Sequence, residues 1–252
     1  SYQFAGDQSH IQNSADGFIQ FDWDPSAHWN MIGGLRYDYF SASSKSRLSA
    51  KIGVMYKLNG WRFRTSYAGG FRAPSLKELF MHFNMANVFT IYGNKNLKPE
   101  NSDNFQISAE YTRRNYSFSA NAFHNIFRNR ISTAWNTALN GMNYLNTAKV
   151  RITGLDLNAQ TRFLCGIGLT ASYVYTHENI PMGQPYTSST RPHSAVLRAD
   201  YDHNFRTWGF NVALTGRYLS KLSIDQYTSA TSYTQTQRVT YPDYQIWKLT
   251  AM

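Results

Sequence analysis

The chain has 252 residues and a formal net charge of +10 at pH 7, and 16% of its residues are aromatic, a high fraction that favours a sheet or an interface. Its apolar runs are only a few residues long, which excludes a membrane-spanning helix, because such a helix needs about 20 apolar residues in succession. The charge admits an anionic partner, but the basic residues are spread along the whole chain, which argues against nucleic-acid binding.

Alternation of apolar and polar residues with a period of two runs through almost the whole chain and predicts β-strands. Trp29, Met31 and Leu35, for example, alternate with Asn30 and Arg36. No amphipathic helix of comparable clarity occurs. The pattern predicts eleven strands, near residues 17–24, 28–40, 46–58, 61–70, 102–112, 116–131, 144–163, 167–177, 194–204, 208–219 and 242–252.

The connections between these strands alternate between short and long ones. The short ones lie at residues 24–27, 59–60, 113–115, 164–166 and 205–207, and the long ones at residues 41–45, 71–101, 132–143, 178–193 and 220–241. Asn59-Gly60 is a favoured signal for a type I′ hairpin turn. The alternation predicts an antiparallel up-and-down meander with tight turns at one end and long loops at the other, as in outer-membrane β-barrels.

The polar faces of the predicted strands carry more charges than a dry protein core tolerates. They therefore fit a wetted lumen, a lumen filled by another polar domain, or the solvent-facing side of a large open sheet. The charged residues are Arg36, Asp38, Lys51, Arg62, Arg64, Glu110, Asp156, Arg162, Arg198, Asp200 and Arg217.

The longest of the early connections carries two short motifs at its ends. The segment from Phe71 to Pro74 reads FRAP, and Asn94 to Leu97 reads NKNL, followed by Lys98-Pro99-Glu100. These segments resemble the FRAP and NPNL boxes that bracket an extracellular loop in TonB-dependent outer-membrane receptors. The residues that carry the resemblance are Phe71, Arg72, Ala73, Pro74, Asn94, Asn96, Leu97, Pro99 and Glu100.

Two further segments extend the resemblance along the chain. Tyr144-Leu145-Asn146, followed by Gly154-Leu155-Asp156, looks like a pattern that follows another extracellular loop in these receptors. Arg191-Pro192-His193 resembles the P-[RK]-H segment of the family, with the basic residue before the proline. The order of these motifs and their places beside the long loops make the combination more specific than any one of them.

The resemblance implies an all-β fold, part of a transmembrane β-barrel of about 22 strands in the bacterial outer membrane. Residues 1–252 are then expected to form a partial barrel domain, with the plug domain and the closing strands outside this sequence. The implied function is capture and uptake of a scarce nutrient, without covalent chemistry or a resident cofactor. The implied partners are outer-membrane lipid, the TonB complex acting through the plug, a small-molecule nutrient and a surface lipoprotein.

Within the loop, His82 and Tyr92 carry the chemistry that points to a ligand, because imidazole and phenolate groups bind haem iron. Haem receptors of this family carry a histidine between the two boxes, and His82 lies there. Phe83 and Phe89 could stack on a flat macrocycle or pack against their own loop. Arg72 could contact an anionic ligand or hold the structure. Haem or another iron complex is the first expected substrate, followed by cobalamin, whose receptors carry similar boxes.

Other functions remain open at this point. Oligosaccharide uptake would use aromatic platforms in several loops, for which Trp135, Tyr186 and Tyr227 are candidates. An adhesin or structural barrel would use the loops to bind a partner protein. A barrel hydrolase could place Asp225 or Glu178 beside His177. The hydrolase ranks below transport because no nucleophile, metal-ligand cluster or phosphate loop occurs at an informative spacing.

The single cysteine, Cys165, excludes an internal disulfide and cannot by itself form a thiolate metal site. We expect it to pack as a small apolar residue.

Overall fold

The computed structural model describes residues 3–4, 11–41, 45–86, 88–181, 188, 190–228 and 235–251. Besides the strands, it contains the short helix α1 (Leu76–Phe80) and a 3-10 turn at Thr137–Leu139. The strands are β1 Gln3–Phe4, β2 Ser14–Ser26, β3 Trp29–Phe40, β4 Lys45–Leu58, β5 Trp61–Arg72, β6 Met81–Met85, β7 Phe89–Tyr92, β8 Glu100–Arg113, β9 Tyr116–Arg128, β10 Ile131–Asn136, β11 Gly141–Asn146, β12 Val150–Arg162, β13 Ile167–Asn179, β14 His193–Asn204, β15 Gly209–Leu219, β16 Leu222–Tyr227, β17 Thr236–Tyr241 and β18 Tyr244–Ala251.

Eleven of these strands form one antiparallel sheet, in the order β18-β15-β14-β13-β12-β9-β8-β5-β4-β3-β2. Each strand of this main sheet pairs with the next one along the chain, so the predicted up-and-down meander is confirmed. The eleven predicted strands correspond one to one to these eleven. Among the residues that the structure describes, no helix is long enough or apolar enough to cross a bilayer.

Two of the predicted strand boundaries are wrong. The predicted strand 144–163 contains parts of two strands in different sheets, because β11 ends at Asn146 and β12 begins at Val150. The predicted strand 116–131 ends at Arg128, and β10 begins at residue 131. The chain leaves the main sheet at Asn129, whose φ is +55°. Alternation resumes directly after each break, so the pattern alone does not show that the strands on either side belong to different sheets.

The turn at Asn59-Gly60 has the predicted conformation, whereas the turn that contains Cys165 differs from expectation. Asn59 and Gly60 have φ of +47° and +87°, in agreement with the predicted type I′ turn. Cys165 lies in the turn between β12 and β13, where it is exposed. The expectation that it packs as an apolar residue is wrong, because a turn at the end of two strands has no buried core around it.

The two faces of the main sheet differ in polarity. One face presents large apolar side chains without any protein cover, including Ile19, Ile107 and Leu249, whose exposed fractions are 71%, 63% and 70%. The opposite face carries ion pairs, such as Arg62 with Glu110 at 3.1 Å. An apolar face of this extent is typical of a surface in contact with hydrocarbon.

A second, five-stranded sheet is built from β1 and from strands of two long connections, in the order β1-β6-β7-β11-β10. We call it the loop sheet. Its strands β7 and β11 pair in parallel, which joins the connection between β5 and β8 to the connection between β9 and β12. Leu79, Leu97 and Ile131 form a buried cluster with it, and Phe80 and Tyr144 pack against that cluster. Segments predicted as loops are therefore folded against each other.

Candidate functional site

Arg72 joins the two ends of the connection between β5 and β8. It donates to both carboxylate oxygens of Glu100 at 2.8 Å, and to Glu78 of α1 at 3.0 and 3.1 Å. Glu100 also accepts the backbone amide of Ile131 at 2.6 Å. Arg72 thus links β5 to α1 and to β8 through two carboxylates. We call Arg72, Glu78 and Glu100 the stem clamp.

Helix α1 begins with a capping box that the sequence analysis missed. The Ser75 hydroxyl accepts the amide of Glu78 at 3.3 Å, and the Glu78 carboxylate accepts the amide of Ser75 at 2.8 Å. The spacing S-x-x-E was readable in Ser75-Leu76-Lys77-Glu78 and would have identified this start. Pro74, directly before the cap, is fully buried. The FRAP segment therefore ends in a fixed helix start.

The second motif ties the connection to its neighbour. The Asn94 side chain donates to the Tyr144 carbonyl at 2.9 Å and accepts the amide of Asn96 at 2.9 Å. Leu97 is 4% exposed and belongs to the buried cluster. Asn146 accepts the amide of Lys98 at 2.7 Å and donates to its carbonyl at 2.8 Å. The motif residues thus hold the loop sheet together.

The remaining motif residues belong to the same stems. The ring of Phe71 lies 5.8 Å from that of Phe40, between ring centroids. Ala73 is half-buried before the helix cap. The Pro99 carbonyl accepts the Asn101 side chain at 3.2 Å, directly before β8 enters the main sheet.

His82 and Tyr92 lie opposite each other across the β6–β7 hairpin. Their ring centroids are 5.2 Å apart, His82 is exposed and Tyr92 is half-buried. Side chains alternate between the two faces of a strand, so Phe83 and Phe89 lie on the opposite face of the hairpin. Phe89 contacts Trp135 there, with ring centroids 6.2 Å apart. The structure brings the imidazole and the phenol together and places the two phenylalanines elsewhere.

Two glycines that the sequence analysis did not select allow the close packing around Tyr92. A Cβ on Gly93 would lie 2.6 Å from the backbone nitrogens of Phe80 and Met81. A Cβ on Gly141 would lie 2.4 Å from the Thr90 carbonyl oxygen. Neither position accepts a side chain without movement of backbone, and no sequence signal separates these glycines from those in ordinary strands.

The described part of the chain contains no group of three or more His, Cys, Asp or Glu side chains that could hold a metal ion. A haem iron places a smaller demand on the protein, because the macrocycle supplies four ligands and one or two side chains complete the shell. His82, with Tyr92 beside it, suits that demand chemically.

The hydrolase arrangement is not formed. His177 and Glu178 are consecutive in β13, so their side chains point to opposite faces. Glu178 instead accepts the Ser188 hydroxyl at 2.9 Å. Asp225 accepts the Arg238 guanidinium at 2.9 and 3.2 Å across the β16–β17 hairpin. This hydrogen bonding to Arg238 lowers the pKa of the Asp225 carboxyl. Both acids are thus occupied away from the histidine.

Arg191, in the segment that resembles P-[RK]-H, holds the base of the β16–β17 hairpin. Its Nη1 donates to the carbonyls of Ser220 and Pro242, the latter at 2.9 Å. Its guanidinium also lies 5.0 Å from the ring centroid of Tyr244. Of the aromatic residues suggested as a sugar platform, Tyr186 lies outside the described residues, and Tyr227 is described in its backbone alone.

Comparisons with known proteins agree with this fold. Residues 2–251 match the family model of the TonB dependent receptor-like β-barrel. The iron-regulated outer membrane virulence protein of Vibrio cholerae is 28% identical over 191 residues, covering 70% of this chain and 29% of the relative. The probable hemoglobin and hemoglobin-haptoglobin-binding protein 4 of Haemophilus influenzae is 25% identical over 179 residues, covering 63% of this chain and 18% of the relative.

Among solved structures, the siderophore receptor PirA from Acinetobacter baumannii superposes with a TM-score of 0.75 at 18% identity, covering 94% of this chain and 39% of that receptor. The chain spans less than a third of the length of the two relatives named above. The meander, its alternating short and long connections and the match over residues 2–251 lead to one conclusion: the chain belongs to the TonB-dependent receptor-like β-barrel family of the bacterial outer membrane.

Proposed function

We propose that this chain is part of the barrel of a receptor for TonB-dependent uptake of an iron complex, with haem as the first candidate. The observation that carries the proposal is the pairing of His82 and Tyr92 across the β6–β7 hairpin, with ring centroids 5.2 Å apart. The names of the two relatives above, which refer to iron regulation and to hemoglobin, support the same substrate class.

In this proposal, the exposed imidazole of His82 would bind the haem iron, and the phenol oxygen of Tyr92 would accept a hydrogen bond from the other ring nitrogen of His82. Histidine and tyrosine both bind ferric iron, and a porphyrin lying on this face would contact side chains that share it. Asn84 is on that face of β6 by strand alternation. The amides at Asn84 and Asn143 are suited to the propionates of the macrocycle.

The stem clamp and the motif asparagines are then the rigid support of the ligand-bearing hairpin. A site on a fixed scaffold loses less conformational entropy when the ligand binds, which improves affinity. Arg72 fits this role better than direct ligand contact, because Glu78 and Glu100 already share its guanidinium. We therefore assign substrate recognition to His82 and Tyr92 and architecture to the boxes.

The test uses the complete receptor that contains this chain, purified and titrated with ferric haem. Wild type should show a Soret band shift that His82→Ala abolishes or weakens, with at least a tenfold loss of affinity, equivalent to ~1.4 kcal/mol. Tyr92→Phe should change the spectrum less. His28→Ala is the matched control, because His28 is an exposed histidine at a short turn of the main sheet.

An unchanged haem spectrum and affinity in His82→Ala would refute the assignment of the ligand. Growth of a deletion strain on limiting haem, a ferric siderophore or cobalamin identifies the transported nutrient independently of that variant. Normal growth on all three would contradict uptake and favour an adhesin or structural barrel.

The further partners belong to the same proposal. Energy would come from the TonB complex acting on a plug domain, which we place outside residues 1–252, together with the strands that close the barrel. We also include a surface lipoprotein that would deliver the ligand. Affinity purification of the intact receptor from cells grown without iron, with and without its plug, tests both partners.

A further inference from the structure

The loop sheet differs from the other sheets of the described structure in its charge. None of the described residues in its five strands is Asp, Glu, Lys or Arg, whereas every strand of the main sheet contains at least one of them, and so do β16 and β17. Residues 79–94 and 131–148 are free of these four residue types, in a chain of which 16% of the residues are charged. The strands of the loop sheet therefore offer a ligand no partner for an ion pair.

Strand alternation gives this sheet two faces of different polarity. On the face of Phe83, the strands β6, β7, β11 and β10 carry apolar or aromatic side chains, except for Thr133 and Asn146. These side chains are Met81, Phe83, Met85, Phe89, Ile91, Met142, Tyr144, Ile131 and Trp135. Ile131 and Tyr144 pack into the buried cluster. We call this side the packing face.

The other side, which we call the ligand face, is polar but uncharged. The same four strands contribute His82, Asn84, Thr90, Tyr92, Gly141, Asn143, Leu145, Ser132, Ala134 and Asn136 to it. His82 and Asn84 are exposed, and Thr90, Tyr92 and Asn143 are half-buried. The hydrogen-bonding groups of this face are amides, hydroxyls and one imidazole, which donate to and accept from neutral partners.

Tyr92 joins the two long connections on the ligand face. The parallel pairing of β7 with β11 places Tyr92 beside Asn143. Its ring also lies over Gly141, where a Cβ would come within 3.1 Å of Tyr92 Cε2. Neighbouring strands are about 4.8 Å apart, so the face measures roughly 14 Å from β6 to β10. A bulky ligand on His82 and Tyr92 therefore also reaches Asn143 of the second connection.

The charged residues nearest in sequence lie outside the strands of the loop sheet. Glu78 is held by Arg72 in the stem clamp. The Lys95 ammonium lies 5.4 Å from the ring centroid of Phe80, which packs against the buried cluster. The remaining ones are in α1, after the second motif, and directly before β10 and β12: Lys77, Lys98, Arg130 and Lys149.

We propose that the ligand face selects iron complexes by charge. It takes a complex that presents an uncharged surface, such as the plane of haem or the neutral shell of a ferric trihydroxamate, and excludes a complex whose negative charge is spread over its whole surface. The proposal rests on the proposed function of this site, and it names the class of substrate.

The physical reason is the cost of desolvating an ion without a partner. Anionic oxygens that are laid against a face without cations lose water and gain no ion pair. Amides and hydroxyls do replace the hydrogen bonds that a neutral carbonyl or hydroxamate group makes with water. Haem satisfies the same condition, because its propionates lie at one edge of the macrocycle.

The experiment uses the complete receptor that contains this chain and measures its affinity for three ferric complexes by quenching of tryptophan fluorescence. The complexes are haem, a neutral trihydroxamate and a trianionic tricatecholate. Wild type should bind haem and the trihydroxamate at least about tenfold more tightly than the tricatecholate. The affinity for the trihydroxamate should not change with ionic strength, because no ion pair contributes to it.

A cation added to the ligand face should relax this selection. Asn143→Lys should raise the affinity for the tricatecholate at least about tenfold and leave the affinity for the trihydroxamate unchanged, which also shows that the variant is folded. Asn84→Lys, at an exposed position of the same face, repeats the test if Asn143→Lys does not fold. Asn115→Lys is the matched control, because Asn115 is a half-buried asparagine in the short turn between β8 and β9.

The outcomes separate this proposal from the assignment of haem. Binding of the trihydroxamate without haem would refute haem and leave charge selection standing, because hydroxamate oxygens already saturate that iron and no histidine is needed. Binding of haem alone would overturn charge selection, since the neutral trihydroxamate presents the required surface. Equal affinity for the neutral and the trianionic complex, or an unchanged tricatecholate affinity in both lysine variants, would also overturn it. If none of the three complexes binds, both proposals fail.

Discussion

We predict that loss of the stem clamp destabilises the loop sheet and leaves the main sheet unaffected. In Arg72→Gln, Glu100 and Glu78 lose a guanidinium that contacts both of them, at 2.8 and 3.0 Å. A buried ion pair costs about 3 to 5 kcal/mol when one partner is removed, and a surface pair about 1 kcal/mol or less. The Arg72 side chain is 45% exposed while the two carboxylates are 23% and 13% exposed, so we expect an intermediate cost of about 2 kcal/mol.

This cost should appear as local opening. About 2 kcal/mol corresponds to a roughly 30-fold larger population of the open state, and hence to roughly 30-fold lower protection of amides from hydrogen exchange. The loss of protection should be confined to residues 76–92. Hydrogen exchange of the intact receptor, followed by mass spectrometry, measures it. Arg64→Gln is the matched control, since Arg64 is a similarly exposed arginine of β5 that pairs with Glu110 at 3.2 Å. Equal effects of both variants, or none in residues 76–92, would refute the reasoning.

The pH dependence of the same clamp has a defined sign. Glu100 begins β8 beyond the apolar rows of the sheet. Burial opposes its ionisation, but hydrogen bonds from Arg72 and the Ile131 amide outweigh burial and hold the pKa of Glu100 below its ordinary value of 4.5. A lowered pKa means that the clamp stabilises the fold above pH 4.5 and that this stabilisation is lost as the pH falls through the folded-state pKa. In Glu100→Gln, the protection of residues 76–92 from hydrogen exchange should therefore not show this loss at acid pH.

Two further predictions concern the loops and turns. Arg191→Gln should remove the hydrogen bonds to the Ser220 and Pro242 carbonyls at the base of the β16–β17 hairpin. Limited proteolysis should then cut within residues 222–241 at least several-fold faster than in wild type, while the main sheet stays intact. An unchanged cleavage rate would show that Arg191 does not hold the hairpin. Cys165, exposed in a short turn, should react with a membrane-impermeant maleimide only after the outer membrane is permeabilised, and labelling of intact cells would mean that the short turns face outward.

Strand alternation explains why so much of the main sheet was predictable. A strand that is polar on one face and apolar on the other must alternate with a period of two, and this constraint applies to every residue of β3 or β12 alike. The turn at Asn59-Gly60 was predictable for a second local reason, since both residues adopt positive φ. The match over residues 2–251 confirms the family that the short motifs indicated.

The loop sheet was not predictable in the same way. β7 and β11 pair in parallel although about 50 residues separate them, and nothing local in either strand specifies the other. The same holds for the contact between Asn94 and the Tyr144 carbonyl. The division of residues 144–163 between two sheets also depends on distant partners, which is why the predicted boundary there is wrong.

The candidate site could be predicted from the sequence only in part. The sequence predicted the residue types, because haem-iron chemistry depends on groups such as an imidazole and a phenol, and both occur between two recognisable motifs. Only the tertiary structure decided that His82 and Tyr92 share a face while Phe83 and Phe89 lie on the other, because the register of the β6–β7 hairpin sets which side chains meet. Likewise, Tyr92 and Asn143 become neighbours only when β7 and β11 pair, since a sheet brings together side chains that the chain keeps apart.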